Sequence, residues 1–216
     1  MEMRKAGIMV SVGLGGLFLA AALGCGGHVA RSAPWITGYQ AGATSVQNGL
    51  TYQVATVGST VLILGVNFDG TAAVSFGGRQ AASYHVDSNS QISAVVPDDA
   101  LSGAVVVDNS GGSSRNSAQP SALLIQPAIT SLGSVSQSAG GLATLKGVGL
   151  YGPASITFTG ITDPVTPVYF DPNTLTVAVP RSVQAGAVVL TVNGLTAATW
   201  TATVDGTGNL TFSAAS

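Results

Sequence analysis

The chain repeats itself, and this repeat limits the folds open to it more than any other feature. The segment Val61-Leu62-Ile63-Leu64-Gly65-Val66-Asn67-Phe68 aligns with Ala143-Thr144-Leu145-Lys146-Gly147-Val148-Gly149-Leu150 at a shift of 82 residues. At the same shift Val74-Ser75-Phe76 falls on Ile156-Thr157-Phe158. With one residue inserted, Ile92 to Pro97 falls on Leu175 to Pro180, and Ser102 to Val107 falls on Ala185 to Leu190. Pro34-Trp35-Ile36 matches Pro127-Ala128-Ile129 once roughly ten extra residues are allowed in the first copy. A chain of 216 residues duplicated in this way reads as two cores of about 90 residues each rather than one large core.

Each copy is a series of strand-length apolar runs separated by turn residues, among them Asp69-Gly70, Gly77-Gly78, Gly111-Gly112 and Asn193-Gly194. No helical periodicity is found beyond Cys25, and many short strands without a crossover helix read as an antiparallel sandwich. The 29 glycines and a charged fraction of only 7% suit short strands joined by tight turns. A hydrophobic fraction of 46%, in recurring Val/Ile/Leu runs, argues against disorder. The glycine-rich stretch from Ile63 to Ala82 invites comparison with a phosphate-binding loop, but such a loop opens a helix and carries a lysine, and neither is present. Its glycines are therefore expected to serve turns, with Gly65 and Gly147 where a strand turns and Gly77 and Gly78 joining neighbouring strands.

Charge excludes one class of partner. The 7 basic residues include Arg4 and Lys5 at the extreme N-terminus, and the others (Arg31, Arg79, Arg115, Lys146 and Arg181) are scattered. No basic stripe is left to follow a phosphate backbone, so no nucleic-acid partner is expected.

Residues 1–24 read as a signal peptide: a short basic start, an uncharged apolar run from Ala6 to Leu23, and small residues before Cys25. A spanning helix is the rival reading, because the run approaches the roughly 18–20 residues a bilayer needs. Gly7, Gly13, Gly15 and Gly16 make the run a poor permanent helix. Leu23-Gly24-Cys25, with Ala21 and Ala22 upstream, resembles the lipobox of bacterial lipoproteins. The resemblance implies cleavage before Cys25 and a covalent lipid on its thiol, with two or three acyl chains making the attachment stable. Cys25 is the only cysteine, so the chain can form no internal disulfide. Gly26 stands where an aspartate would favour retention in the inner membrane, which points to the outer membrane of a Gram-negative cell envelope. Residues 25–33 then form a lipidated tether. His28 within it has no second ligand nearby and reads as a solvated side chain.

The order of motifs resembles the IPT/TIG family of immunoglobulin-like domains. The first copy carries the family pattern at Pro34 and Ile36, Gly65 to Phe68, Val74 to Gly78, Ile92 to Pro97 and Gly103 to Val107. The second copy departs from it, with Leu150 for the phenylalanine and Thr159-Gly160 for the glycine pair. The resemblance implies an all-β chain of two tandem immunoglobulin-like β-sandwiches, at 34–126 and 127–204, followed by a hairpin or tail at 205–216. Such motifs specify a fold well and a function poorly.

Catalytic chemistry is sparse. No Gly-x-Ser-x-Gly elbow occurs, and His85, in Ser83-Tyr84-His85-Val86, reads as a surface strand residue rather than a general base. Asp98-Asp99 follows Pro97 at an expected turn, where capping or solvation is the default, and a calcium site would need further oxygen ligands. Asp205-Gly206-Thr207-Gly208-Asn209 has the look of a calcium loop but lies between two strand-like runs and reads as a hairpin turn. Trp35 and Trp200, then Tyr39, Tyr52, Tyr84, Tyr151 and Tyr169, are candidates for stacking on sugar rings, with core or interface packing the stronger reading for the two tryptophans.

The sequence therefore predicts a non-catalytic envelope lipoprotein, anchored through Cys25, without metal or cofactor other than the lipid. It would display a binding, adhesion or spacer surface to an envelope protein or glycan. The alternatives are a glycan-binding module of a surface polysaccharide-capture system and an accessory subunit of a separate enzyme.

Overall fold

The computed structural model describes residues 31–114, 122–133, 135–136, 140–197 and 199–214. Cys25, the rest of the expected signal peptide and His28 lie outside the described residues. All the regular elements described are strands. In chain order the first eleven are β1 (Trp35–Gln40), β2 (Ala43–Gln47), β3 (Leu50–Ala55), β4 (Thr60–Val66), β5 (Thr71–Phe76), β6 (Arg79–Gln80), β7 (Ser83–Ser88), β8 (Gln91–Val95), β9 (Val105–Asn109), β10 (Gly112–Ser113) and β11 (Leu124–Ile125). They are followed by β12 (Ala128–Leu132), β13 (Val135–Ser136), β14 (Leu142–Val148), β15 (Ala154–Phe158), β16 (Tyr169–Phe170), β17 (Thr174–Ala178), β18 (Gly186–Val192), β19 (Leu195–Thr196), β20 (Trp200–Val204) and β21 (Asn209–Ala214).

The duplication in the sequence is a duplication of sheets. Strand order β1-β4-β8-β7 in the first half recurs as β12-β14-β17-β16 in the second. A second sheet, β10-β9-β5-β6, faces the first half's core, and the second half closes with β13-β21-β20-β18-β15, β19 pairing with β18. Alternation fixes the register, since a slip of one residue would turn every core side chain outward. On β4 the buried positions are Val61, Ile63 and Gly65, and on β14 they are the aligned Ala143, Leu145 and Gly147.

The buried apolar residues fall into two large clusters. One holds Ile36, Ile63 and Ile92 from the first sheet against Val74, Phe76, Val105 and Val107 from the second, with Phe68 sealed at 0% exposure. The other joins Leu145, Leu175 and Val177 to Ile156, Phe158, Val188 and Leu190, with Leu150 sealed in Phe68's place. Leu210 on β21 belongs to this second cluster, so the hairpin expected as a tail after residue 204 is the closing part of the second half's sheet. Turn chemistry would mark 205–209 as a boundary from sequence alone, but only the pairing of β21 with β20 and β13 shows which side the strand joins.

The glycines divide into two kinds. Gly77 and Gly78 form the β5–β6 turn with φ of 56° and 88°, a conformation open to glycine at no steric cost. Gly65 and Gly147 are not at turns: they lie inside β4 and β14, and their φ values are not positive. A Cβ on Gly65 would run into the Trp35 carbonyl and lie 2.6 Å from the Phe68 ring, and one on Gly147 would run into the Ala128 carbonyl. Both face a register shift in the partner strand, between Ile36 and Gly38 on β1 and between Ile129 and Ser131 on β12. The bulge bends the partner strand's backbone close against the glycine, and a side chain there would push it away.

The turn at Asp205 is held by its own carboxylate. Asp205 Oδ1 accepts from the Thr207 and Asn209 amides, both at 2.9 Å, and from Thr207 Oγ1 at 2.7 Å, while Oδ2 accepts from Asn209 Nδ2 at 3.3 Å. The Thr207 hydroxyl, followed by the two amides, draws the carboxyl pKa down to about 2. The folded-state pKa is depressed, so the turn's contribution is present above the unfolded carboxylate range and is lost as pH falls toward 2. Amide resonances of Thr207 and Asn209 are expected to titrate together with a midpoint near that value. A midpoint near 4 for both would contradict the turn geometry.

Candidate functional site

The chain enters the first half at the end of the sandwich formed by the β4–β5, β7–β8 and β9–β10 turns. Asn67 there adopts a left-handed φ of 64°, which asparagine tolerates better than most residues, and Asp69-Gly70 completes the turn into β5. Asn109 closes its own turn by accepting from the Gly111 amide at 2.7 Å. Its Nδ2 donates to the Ser32 carbonyl at 3.0 Å and to the Asn67 carbonyl at 2.9 Å, tying the incoming segment to the β4–β5 turn. Asn67 Nδ2 donates to the Ala33 carbonyl at 3.2 Å. Gly111 is obligatory for the path, since a Cβ would collide with the Arg31 carbonyl.

These contacts leave a cleft of about 310 Å³ lined by Arg31, Ser32, Asn67, Asp69, Asn89 and Asn109. Asn89 Oδ1 accepts from the Asp69 amide at 3.3 Å. The Arg31 guanidinium lies over Gly70, with its NH1 2.6 Å from where a Cβ would stand. Among the described residues, the Asp69 carboxylate, the Asn89 Nδ2 and the Arg31 guanidinium have no hydrogen-bonding or ionic partner. The cleft thus combines an anionic acceptor, a neutral donor and a cationic donor fork within one polar concavity. Sequence reasoning did not single out this set. Its members come from four separate segments, and only the asparagines' turn preference could have placed three of them at loops.

The residues that the sequence did single out are not gathered there. His85 projects from β7 with its side chain 81% exposed, Nε2 4.0 Å from Asp87 Oδ1. Asp87 Oδ2 accepts from Ser93 Oγ at 2.7 Å and from Gln91 Nε2 at 3.1 Å, and these hydrogen bonds, Ser93's first, hold its carboxyl below the usual range. Ser, Asp and His are therefore neighbours, but the serine donates to the aspartate rather than to the histidine, so the imidazole is not placed on the serine's proton as in a Ser-His-Asp relay. Asp99 faces Arg79 at 3.5 Å on a half-exposed surface, and Asp98 stands beside it in the turn after Pro97. Among the described residues no group of three His, Cys, Asp or Glu could hold a metal ion. At Asp205 both carboxylate oxygens are already engaged by the hairpin turn.

The aromatic candidates are divided. Trp200 is 8% exposed and belongs to the second core. Tyr39 is buried in the first, and burial pushes its hydroxyl up to about 12, the Val105 backbone hydrogen bond opposing. Tyr52 packs half-buried on a small third cluster. Tyr169 lies on β16 with its side chain outside the described set. Trp35, Tyr84 and Tyr151 are exposed, on β1, on β7 and in the β14–β15 turn. Tyr84 donates its hydroxyl to the Thr71 carbonyl at 3.3 Å, on the strand that leaves the cleft.

Residues 49–121 match the family described as IPT/TIG domain, within the copy whose motifs carry that resemblance. No curated protein matches the chain. Among solved structures, it is similar to SGBP-B from a complex xyloglucan utilization locus in Bacteroides uniformis, at 23% identity and a TM-score of 0.31, over 76% of this chain and 48% of that one. It is also similar to the surface glycan-binding protein PbSGBP-B from Prevotella bryantii, at 14% identity and a TM-score of 0.45, over 78% and 41% of the two chains. A third similar structure is Gamma-CGTase from Alkalophilic bacillus clarkii, at 18% identity and a TM-score of 0.34, over 87% and 25%. The chain spans less than half the length of each of these proteins.

Proposed function

We propose that this protein is a non-catalytic lipoprotein of the bacterial outer membrane, anchored through Cys25, that displays a binding surface on two tandem IPT/TIG-like domains. The first spans 34–126. The second begins at 127 and runs through the closing hairpin. The observation that carries the binding role is the open polar cleft at the end of the first sandwich, where the Asp69 carboxylate, the Asn89 Nδ2 and the Arg31 guanidinium have no partner among the described residues. The chain comes in at that end and leaves, at Gln126, beside Ala55, at the opposite end of β4, and this end-to-end path supports a spacer role as well.

The cleft's chemistry favours a second, narrower reading, in which the ligand is a glycan. Adjacent sugar hydroxyls both donate and accept, which matches an acceptor carboxylate beside neutral and charged donors. Neither reading assigns the chain a reaction.

The anchor and the surface are tested separately. Cys25→Ala is expected to abolish lipid labelling and to leave the precursor uncut or the protein released from membranes, because acylation needs the thiol. Unchanged lipid incorporation and membrane fractionation would contradict the anchor. A glycan array and an envelope pull-down on the soluble chain from residue 26 test the surface, with Asp69→Ala expected to weaken whichever ligand is captured at least tenfold. An unchanged affinity in that variant would remove the cleft from the account.

A further inference from the structure

We propose that the β2–β3 hairpin is a brace built into the first copy, docked on one end of the second sandwich so that the two sandwiches move as one body. The inference rests on the two-domain reading above.

The hairpin accounts for the extra residues of the first copy. Between β1 and β4 the chain makes β2, an Asn48-Gly49 turn with φ of 51° and 78°, and β3. Between the aligned β12 and β14 the one strand among the described residues is β13. The hairpin pairs with neither main sheet of the first sandwich, although Ala55 of β3 and Ile125 of β11 are buried in its core. It forms a separate sheet, β11-β3-β2, with the strand that leads out of the first half. A hairpin alone is marginally stable at best and β11 adds only Leu124–Ile125 to it, so the sheet needs a packing surface.

Ala55 and Ile125 turn inward to the first core, and the second half supplies a surface for the alternate residues Val54 and Leu124. Gln47 Nε2, beside the hairpin turn, donates to the Asn193 carbonyl at 2.9 Å, and a Cβ on the neighbouring Gly194 would stand 2.7 Å from that amide nitrogen. Val54 of β3, Leu124 of β11 and Leu195 of β19 bury one another, with Tyr52 packed alongside. Gln126 Nε2 reaches the Thr196 carbonyl at 2.8 Å. Two side-chain hydrogen bonds and one apolar cluster, separate from both large cores, therefore connect the hairpin and its exit strand to the β18–β19 turn.

The duplication shows what the contact replaces. In the first sandwich, the end formed by Asn67, Asp69 and Asn109 is the open cleft. In the second, the aligned end carries Gly149, Tyr151 and Asn193, and the latter again ties its neighbours by donating to the Tyr151 carbonyl at 3.0 Å. Where the incoming segment Arg31–Ser32 borders the cleft, residues 125–126 border Gly149, and Gln47 reaches the same end through the Asn193 carbonyl. One end of the repeat is thus free for a ligand, and its counterpart is occupied by a segment of this chain. Without the hairpin the junction would keep the exit segment alone, Leu124 against Leu195, Gln126 on Thr196 and residues 125–127 against Gly149, and relative motion would be the default.

Residual dipolar couplings of backbone N–H groups, measured on the soluble chain from residue 26, test the brace. In the native protein, couplings from β4, β5, β8 and β9 and those from β14, β15, β17 and β18 are expected to fit one alignment tensor. In the double variant Gln47→Ala, Leu195→Ser, the two sets are expected to need separate tensors differing at least twofold in magnitude, while the chemical shifts of both cores stay native. Native shifts with a single tensor in the variant, or two tensors in the native protein, would overturn the brace alone. Loss of native shifts throughout both halves together would instead overturn the two-domain reading beneath it.

Discussion

Gly65→Val and Gly147→Val are each expected to cost the protein roughly 3 kcal/mol or more, at the upper end of what overpacking exacts, because the clash is with backbone rather than with a side chain that can turn away. At Gly65 the added carbons meet the Trp35 carbonyl and the Phe68 ring, and at Gly147 they meet the Ala128 carbonyl. To admit them, β1 or β12 must separate from its neighbour, and β1 carries Ile36 into the first core. Gly38→Ala is the control: nothing stands within 4 Å of a Cβ there, so the change is expected to leave stability within about 0.5 kcal/mol or to raise it slightly by stiffening the unfolded chain. Urea unfolding of the three variants checks the contrast. Equal effects at Gly38 and Gly65 would mean that the glycines serve backbone freedom rather than close approach.

A second large effect is expected from Phe68→Ala, which empties the most enclosed aromatic position of the first core. Phe68 is at 0% exposure and touches the space that Gly65 leaves open. The loss should be about 3–5 kcal/mol, and Leu150→Ala at the aligned position of the second core about 2–5 kcal/mol. The two substitutions act on different clusters, so each should destabilise its own half. Their effects should add when combined.

The parts of this fold that were legible in the sequence are those written in repetition. Val61, Ile63 and Gly65 and their counterparts Ala143, Leu145 and Gly147 share one alternation, and it specified both the β-strand and its inward face. The turn residues Gly77-Gly78 and Asn193-Gly194 were legible because their backbone angles require such residues. Gly65 and Gly147 misled for a physical reason: glycine at a turn and glycine facing a bulge look alike until the partner strand is in place. The β2–β3 hairpin was visible only as a length difference between the copies. Its role depends on Gln47 meeting Asn193, a contact 146 residues apart that no local pattern encodes. The cleft escaped for the same reason, since Arg31, Asp69 and Asn89 acquire meaning only when three turns and the incoming segment converge. Asp87 and Ser93 were likewise passed over, because the bulge between Val86 and Ser88 that brings the aspartate to the serine leaves no trace in composition.

Hydrogen exchange on the Phe68→Ala variant tests most directly the claim that everything else depends on, that the chain is two separately cored sandwiches rather than one. The account predicts that amides in β4, β5, β8 and β9 lose protection by the full cost of the substitution. Those in β14, β15, β17 and β18 should retain theirs, apart from the β18–β19 turn under the hairpin. If protection instead falls equally in both sets, the strands share a single cooperative core and the two-domain account is contradicted.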